Sequence, residues 1–162
     1  MLNQVLDQAD PGSAHPLKLD EHIECLDRYH RIFGAGRDPP PTVDPRKDQL
    51  AALKAVSEGP EGRFPYADFA VFGPFQSRRI KSVKLRGCKF GANGELIPLE
   101  MLGPHDLETW LECYAVWETA MLMLGLIDMG PFKRYRELIE KYHRFFGPEV
   151  WTLLYQTDTR AR

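Results

Sequence analysis

Apolar residues recur every three or four positions over most of this chain, and turn-forming residues separate the recurrent stretches. This spacing is typical of amphipathic helices, whose apolar side chains share one face. The first such helix is predicted from Asp20, which can cap its N-terminus, to about Phe33, just before Gly34. Its predicted core positions are Ile23, Leu26, Tyr29 and Phe33.

A second helix is predicted after Pro39–Pro41, a run of prolines that is typical of a stiff, extended linker. Asp44 is placed to cap this helix, Pro45 suits its first position, and Gly59 follows its last turn. Its predicted core positions are Leu50, Leu53 and Val56. Aromatic residues then recur every three positions, which predicts a short helix over residues 66–72, with an irregular aromatic strand as the alternative.

The C-terminal third is predicted to be helical. One helix runs from Asp106, as its cap, to about Ile127, and Pro131 opens the next, which Gly147 ends. Pro148 then opens a short final helix. The predicted core positions are Leu107, Trp110, Leu111, Tyr114, Trp117, Met121 and Leu124 in the first of these helices, and Tyr135, Leu138, Ile139, Tyr142, Phe145 and Phe146 in the second.

Residues 79–100 have the pattern of a β-hairpin. Asn93 and Gly94 form the dipeptide that most strongly favours a tight reversal between two strands. Apolar and basic residues alternate before Gly87, and the alternation shifts by one residue after it, which predicts a β-bulge. Pro98 in the return strand indicates an edge position, because proline cannot donate to a neighbouring strand.

These elements predict an α+β protein, mainly α-helical, with about five helices and one β-hairpin. Its 162 residues are enough for one domain with a substantial core. The proline run divides it into an N-terminal helical arm (1–38), a linker (39–43) and a helical domain that carries the hairpin (44–162).

The net charge of −2 hides a strong asymmetry of charge along the chain. Residues 1–45 contain 8 acids and 4 bases, and residues 92–162 contain 11 acids and 7 bases, so each flank has a net charge of −4. Residues 46–91 between them contain 4 acids and 10 bases, a net charge of +6. A basic block between acidic flanks can bind another subunit or an anionic partner.

Six of these bases fall in the predicted first strand and its approach, and no acid interrupts them. They are Arg78, Arg79, Lys81, Lys84, Arg86 and Lys89. A basic β-ribbon can grip a phosphate backbone, so RNA or DNA is one predicted partner and an acidic protein surface is the other. The structural alternative is a solvated edge strand, whose bases prevent edge-to-edge aggregation.

No catalytic or metal-binding set is complete in this sequence. His22, Cys25 and His30 lack the fourth ligand that a tetrahedral zinc site needs. His105 and Cys113 stand eight residues apart on one predicted helix, about 12 Å by the helical rise, which is too far for direct proton transfer. The chain is therefore predicted to be non-enzymatic and to need no cofactor.

Cysteine usage and hydropathy indicate where the protein acts. Its three cysteines are widely spaced and show no pairing pattern, which favours a reducing compartment. The N-terminus has no secretory signal pattern, and the most apolar stretch, Ala120–Ile127, is too short to span a membrane. We predict an intracellular protein, cytoplasmic or nuclear, with no membrane partner.

The stretch from Ala120 to Ile127 is also apolar on nearly every side of its helix. Such a helix must be buried all round, and in a domain of this size that indicates burial against a second copy. A homo-oligomer is predicted, with its interface around Met121, Met123 and Leu126.

Several segments together resemble a known kind of protein. They are Lys-Asp-Gln-Leu-Ala-Ala-Leu (47–53), Pro-Tyr-Ala-Asp-Phe-Ala (65–70), Phe-Gly-Pro-Phe-Gln-Ser-Arg-Arg (72–79), Glu-Cys-Tyr-Ala-Val-Trp-Glu-Thr-Ala-Met-Leu-Met-Leu (112–124) and Leu-Leu-Tyr-Gln-Thr-Asp-Thr-Arg-Ala-Arg (153–162). The set resembles a gag-like structural segment of large retroelement-type open reading frames of unicellular eukaryotes, over roughly residues 44–162. The chain departs from familiar gag proteins, since it has neither a Cys-Cys-His-Cys zinc knuckle nor an Asp-Ser/Thr-Gly protease motif.

This resemblance implies a non-enzymatic structural or self-assembly module, gag- or capsid-like, whose basic hairpin contacts nucleic acid or an acidic subunit face. The alternative is a monomeric nucleic-acid-binding accessory domain of a larger mobile-element protein.

Overall fold

The computed structural model describes residues 17–58, 69, 72 and 83–161. Its helices are α1 (Leu19–Phe33), α2 (Lys47–Ser57), α3 (Leu107–Leu124), α4 (Met129–Phe146) and α5 (Trp151–Ala161), and a single 3₁₀ turn (Pro148–Val150) precedes α5. Strands β1 (Val83–Phe90) and β2 (Leu96–Gly103) form an antiparallel hairpin. The predicted α+β, mainly helical class is confirmed. None of the helices in the described ranges combines the length and the hydropathy needed to cross a bilayer.

Helix α3 is the centre of the fold. The side chain of Asp106 caps it as predicted, since its Oδ1 accepts a hydrogen bond from the Thr109 backbone N–H at 2.8 Å. Gly125 ends it in the left-handed conformation, with φ of +70°. Helices α1, α2 and α4 all pack against α3. A helix enclosed by three others is apolar all round without any second copy.

The N-termini of α1 and α2 lie elsewhere than predicted. Lys18, not Asp20, precedes the first turn of α1, and its backbone N–H donates to Glu21 Oε2 at 2.8 Å. Arg46, not Asp44, precedes α2, and its N–H donates to Gln49 Oε1 at 2.8 Å. In both helices the third residue of the first turn accepts the N–H of the residue that precedes the helix, which is one half of a capping box.

The hairpin is a regular ladder. Its eight residue pairs run from Val83 opposite Gly103 to Phe90 opposite Leu96, with no residue left over. The predicted bulge at Gly87 is therefore wrong. The reversal at the predicted Asn-Gly pair is confirmed, since Gly94 adopts a φ of +78° in the loop between the strands.

One face of the hairpin, here called the inner face, packs on α5. Leu85 is buried there, and Gln156 Nε2 donates to the Cys88 carbonyl at 2.5 Å. The fit at Gly103 is tight, because a Cβ atom at that position would overlap Cε1 of Tyr155. Glycine is thus required where the end of β2 meets the tyrosine ring.

A buried carboxylate joins the three C-terminal helices. Asp158 of α5 accepts hydrogen bonds from Trp110 Nε1 of α3 at 2.9 Å and from the Tyr135 hydroxyl of α4 at 2.8 Å. Its side chain is enclosed. Hydrogen bonds to a charged acceptor are stronger than neutral ones, so this arrangement holds α4 and α5 in a defined position on α3.

Candidate interaction surfaces

The hairpin presents its other side to solvent, and this outer face carries two of the predicted basic residues. It consists of Lys84, Arg86, Cys88 and Phe90 on β1 and Leu96, Pro98, Glu100 and Leu102 on β2. Strand residues alternate between faces, and residues opposite each other share a face, so the register defines this set.

The described bases of the hairpin do not form one row. Lys84 and Arg86 lie on the outer face, whereas Lys89 lies on the inner face and is half-buried. Glu100 stands directly opposite Arg86, and its Oε2 lies 4.0 Å from Lys84 Nζ. The outer face is therefore of mixed charge, which the sequence of the first strand by itself does not show. The predicted contacts of Arg78, Arg79 and Lys81 lie outside the described residues.

Apolar side chains occupy the loop end of the outer face. Phe90 is 78% exposed, and Leu96 opposite it is also exposed. The face thus combines two cations with an accessible aromatic ring. This combination suits a partner that offers an anion beside a flat or apolar group, because the ring can stack while the cations pair with the anion.

A second exposed apolar surface lies on α4. We call it the α4 flank and define it as Arg134, Leu138, Lys141, Tyr142 and Phe145. The other four lie three, four or seven residues from Leu138, so all five lie on one side of the helix around it. Phe145 is 77% exposed, and Leu138 and Tyr142 are exposed as well.

The α4 flank corrects the sequence prediction, which placed Leu138, Tyr142, Phe145 and Phe146 in the core. In the structure the core face of α4 consists of Phe132 and Ile139, with Tyr135 partly buried. Adjacent helical residues are about 100° apart, so Leu138 cannot share the direction of Ile139. A run of apolar residues wider than one face was the signal that could have shown this surface.

Helix α1 also exposes apolar residues away from the core. Its buried positions are Cys25 and Tyr29, so the prediction that Ile23 points inward is wrong. Ile23 is 49% exposed and Leu19 is 69% exposed. Within α1 these two residues lie one turn apart on the same side, as residues four positions apart do.

The residues predicted as an oligomer interface lie in or against the core of the chain itself. Met121 and Met123 are fully enclosed by the chain itself, and Leu126 is partly buried against the same core. Enclosed side chains cannot reach a second copy in this conformation. The surplus apolar surface that motivated the interface is covered by the helices around α3.

The titratable groups of the interior are arranged for packing. Cys25 and Cys113 are buried, and burial raises the pKa of the Cys25 thiol, which disfavours the thiolate. Burial also raises the pKa of Glu118, and Arg136, whose Nη1 lies 3.7 Å from Glu118 Oε2, opposes this effect. In the part of the chain that the structure describes, no three histidine, cysteine or carboxylate side chains are grouped to hold a metal ion.

An apolar pocket of about 200 Å³ lies beside α3 and α4. Its walls are formed by Tyr114, Trp117, Ile127, Pro131, Phe132, Tyr135 and Ala161. Among the described residues these walls are mainly aromatic and include no carboxylate, histidine or cysteine. The two tyrosine hydroxyls already donate, that of Tyr114 to the Phe132 carbonyl and that of Tyr135 to Asp158.

No protein-family model, no curated protein and no solved structure matches this chain.

Proposed function

We propose that this chain is a non-enzymatic self-assembly module, gag- or capsid-like in kind, that uses the α4 flank as a contact surface between copies. The observation that carries the proposal is the exposure of Leu138, Tyr142 and Phe145 on one side of a helix whose adjoining side packs on the core. Contiguous exposed apolar residues with polar neighbours mark protein–protein contact sites. The resemblance of residues 44–162 to gag-like segments agrees with this role.

The size of the flank sets the kind of assembly. Burying a fully exposed large apolar side chain contributes about 1.5–3 kcal/mol. Because Leu138, Tyr142 and Phe145 are 40%, 41% and 77% exposed, their burial together contributes roughly 2–5 kcal/mol. Loss of translational and rotational freedom costs about 4–15 kcal/mol on association. One such contact is therefore weak, and stable assembly needs several contacts per copy or a high local concentration. Weak, repeated contacts of this kind are what a reversible scaffold requires.

The hairpin has a separate part in the proposal. Its exposed bases, Lys84 and Arg86, contact nucleic acid; an acidic face of a neighbouring subunit is the alternative, which Phe90→Glu on the same outer face tests below. The module acts inside the cell, in the cytoplasm or nucleus, and the three free cysteines agree with a reducing compartment there.

The assembly proposal is tested with two matched substitutions. Phe145→Glu and Phe90→Glu introduce the same charge at nearly equal exposure, 77% and 78%, on two different surfaces. We expect the wild-type mass measured by light scattering to rise with protein concentration, and Phe145→Glu to suppress that rise. A carboxylate brought into an apolar contact loses hydration without gaining a partner. Phe90→Glu should assemble as the wild type does.

Two results would contradict this assignment. A wild-type protein that stays monomeric at every concentration would remove self-assembly as the function. Suppression by Phe90→Glu but not by Phe145→Glu would move the contact surface from α4 to the hairpin.

The second candidate is a monomeric nucleic-acid-binding accessory domain of a larger mobile-element protein. The exposure of Lys84 and Arg86 beside the accessible ring of Phe90 favours it. Phosphate contacts release counterions, so affinity for single-stranded RNA should fall steeply as salt rises. A Lys84→Glu variant should lose binding, whereas Lys89→Glu, the same change of charge on the inner face, should lose much less. Equal loss in the two variants would mean that binding follows net charge rather than the outer face.

A further inference from the structure

The exposed side of α1 has a composition that complements the α4 flank. We call it the α1 flank and define it as Leu19, Asp20, Ile23 and Asp27, all of them exposed. It is apolar at its centre and acidic along one edge. The α4 flank is apolar at its centre and has Arg134 and Lys141 along one edge, with the acidic Glu137 farther round the helix on that side. The two flanks therefore have the same layout with opposite charge.

The acids of the α1 flank are unused within the described chain, whereas other carboxylates of α1 are paired. Glu21 forms an ion pair with Lys54, and Glu24 Oε2 lies 3.7 Å from Arg28 Nη2. Asp20 and Asp27 have no ion-pair partner among the described residues. Their charges are free to pair with another molecule.

The bases of the α4 flank have the same property. Arg136, on the neighbouring side of α4, pairs with Glu118, but Arg134 and Lys141 pair with no acid in the described ranges. Each flank therefore presents two unpaired charges of one sign beside an apolar centre. Complementary potentials of this kind select a partner and fix its register.

The spacing of the charges matches between the two helices. Asp20 and Asp27 are seven residues apart around Ile23, and Arg134 and Lys141 are seven residues apart around Leu138. Seven residues of helix correspond to about 10 Å. When Ile23 faces Leu138, both acids therefore lie close to both bases along the helix axis, and two ion pairs can form together.

The side of the apolar centre on which the charges lie also determines whether the two helices pair in parallel or antiparallel. At about 100° per residue, Asp20 and Asp27 lie roughly 40–60° to one side of Ile23, and the two bases lie roughly 40–60° to the opposite-handed side of Leu138. Edges of opposite hand meet when two helices run parallel, as the g and e positions of parallel coiled coils do. An antiparallel arrangement would place the acids and the bases on opposite sides of the contact.

We infer that α1 of one copy docks in parallel on the α4 flank of the next copy. The inference rests on the proposed function and adds to it the identity of the surface that covers α4. Because the two surfaces differ, a pair of copies still has one free flank of each kind, the α4 flank of one copy and the α1 flank of the other. Such a head-to-tail contact propagates into a ring or an open filament rather than stopping at a dimer.

A charge-exchange experiment tests this contact. The first variant is Asp20→Lys/Asp27→Lys, and the second is Arg134→Glu/Lys141→Glu. Each variant by itself places like charges opposite each other, so we expect its apparent dissociation constant to rise at least about tenfold over the wild type. An equimolar mixture of the two variants restores opposite charges at every contact and should assemble again. A chain with all four substitutions should assemble by itself.

The changes are on exposed positions, and circular dichroism spectra and melting temperatures that match the wild type would show that each variant is folded. If a lysine or glutamate variant unfolds, Asp20→Asn/Asp27→Asn replaces it, with a smaller expected loss of assembly and a weaker salt dependence than the wild type. Assembly of this neutral variant with unchanged affinity and salt dependence would overturn the inference.

The outcomes separate the inference from the proposed function. If Phe145→Glu prevents assembly but the α1 variant assembles as the wild type does, another surface covers the α4 flank. The inference then fails and the self-assembly function stands. If the equimolar mixture of the two charge variants stays as monomeric as each variant by itself, the inference also fails and the self-assembly function stands. A wild type that never associates overturns both.

Discussion

The buried carboxylate of Asp158 allows a sharp test of how the C-terminal helices are held together. Replacing Tyr135 with phenylalanine removes one hydroxyl and leaves the ring in place. The hydroxyl donates to Asp158 Oδ1 at 2.8 Å, and Trp110 Nε1 keeps its own bond to Oδ2. Tyr135→Phe therefore deletes one charge-assisted hydrogen bond without opening a cavity.

The expected loss follows from that bond. A hydrogen bond to a charged group contributes about 1.5–3 kcal/mol to stability. Tyr135 is only partly buried, so water can solvate part of the carboxylate after the change, and we expect a loss of about 1.5–2 kcal/mol. A loss of about 1 kcal/mol lowers the melting temperature of a domain of this size by roughly 2–4 °C. The melting temperature should therefore fall by roughly 3–8 °C.

The assay is urea and thermal unfolding of dilute protein, followed by circular dichroism. The matched control is Tyr142→Phe, the same change on the same helix, where the hydroxyl makes no hydrogen bond within the described residues. A double-mutant cycle with Asp158→Asn then isolates the pair, since Tyr135→Phe should cost less once the carboxylate has gone. Equal unfolding midpoints for Tyr135→Phe and Tyr142→Phe would refute the claim that Asp158 holds α4 in place.

Two further predictions concern the hairpin and the interior. Gly103→Ala should lower stability by about 1–3 kcal/mol because its Cβ would overlap the Tyr155 ring. Gly91→Ala should cost less, because the side chain its Cβ would meet, that of Glu95, can move. Equal urea midpoints for the two variants would show that the hairpin shifts freely on α5. Burial raises the pKa of Glu118 above 4.5, so its charge lowers stability as pH rises through that folded-state pKa. Glu118→Gln should therefore raise the urea midpoint at about pH 7, although the ion pair with Arg136 is lost. The difference from the wild type should shrink at about pH 4, where the glutamate is largely protonated. A difference that does not change with pH would argue against burial as the cause.

Local sequence signals determined most of the elements. Asp106 and Gly147 mark the start of α3 and the end of α4 by capping chemistry and backbone freedom, which act within a few residues. The predicted end of α3 at Ile127 is wrong, because Gly125 ends the helix after Leu124. The Asn-Gly pair determined the hairpin in the same way. The helix spacing and the mainly helical α+β class therefore follow from the order of residues along the chain.

The burial of each helix face does not follow in this way. A stripe of apolar residues shows that a side of a helix can be buried, but not which neighbour covers it. The sequence pattern predicted Phe145 in the core and Met121 at an interface, and the structure exposes the first and encloses the second. The difference arises because α3 has three helices around it, while α4 has its core contacts on one side only.

The candidate surfaces depend on both the sequence and the tertiary structure. The sequence alone identified the basic strand, since charge is a property of composition and survives any folding. Only the tertiary structure placed Glu100 opposite Arg86, turned Lys89 to the other face, and brought Trp110 and Tyr135 to Asp158. Those relationships join residues far apart in the chain, and their positions depend on how whole elements pack. Periodicity describes only the spacing of residues along one element, so it cannot predict how separate elements pack.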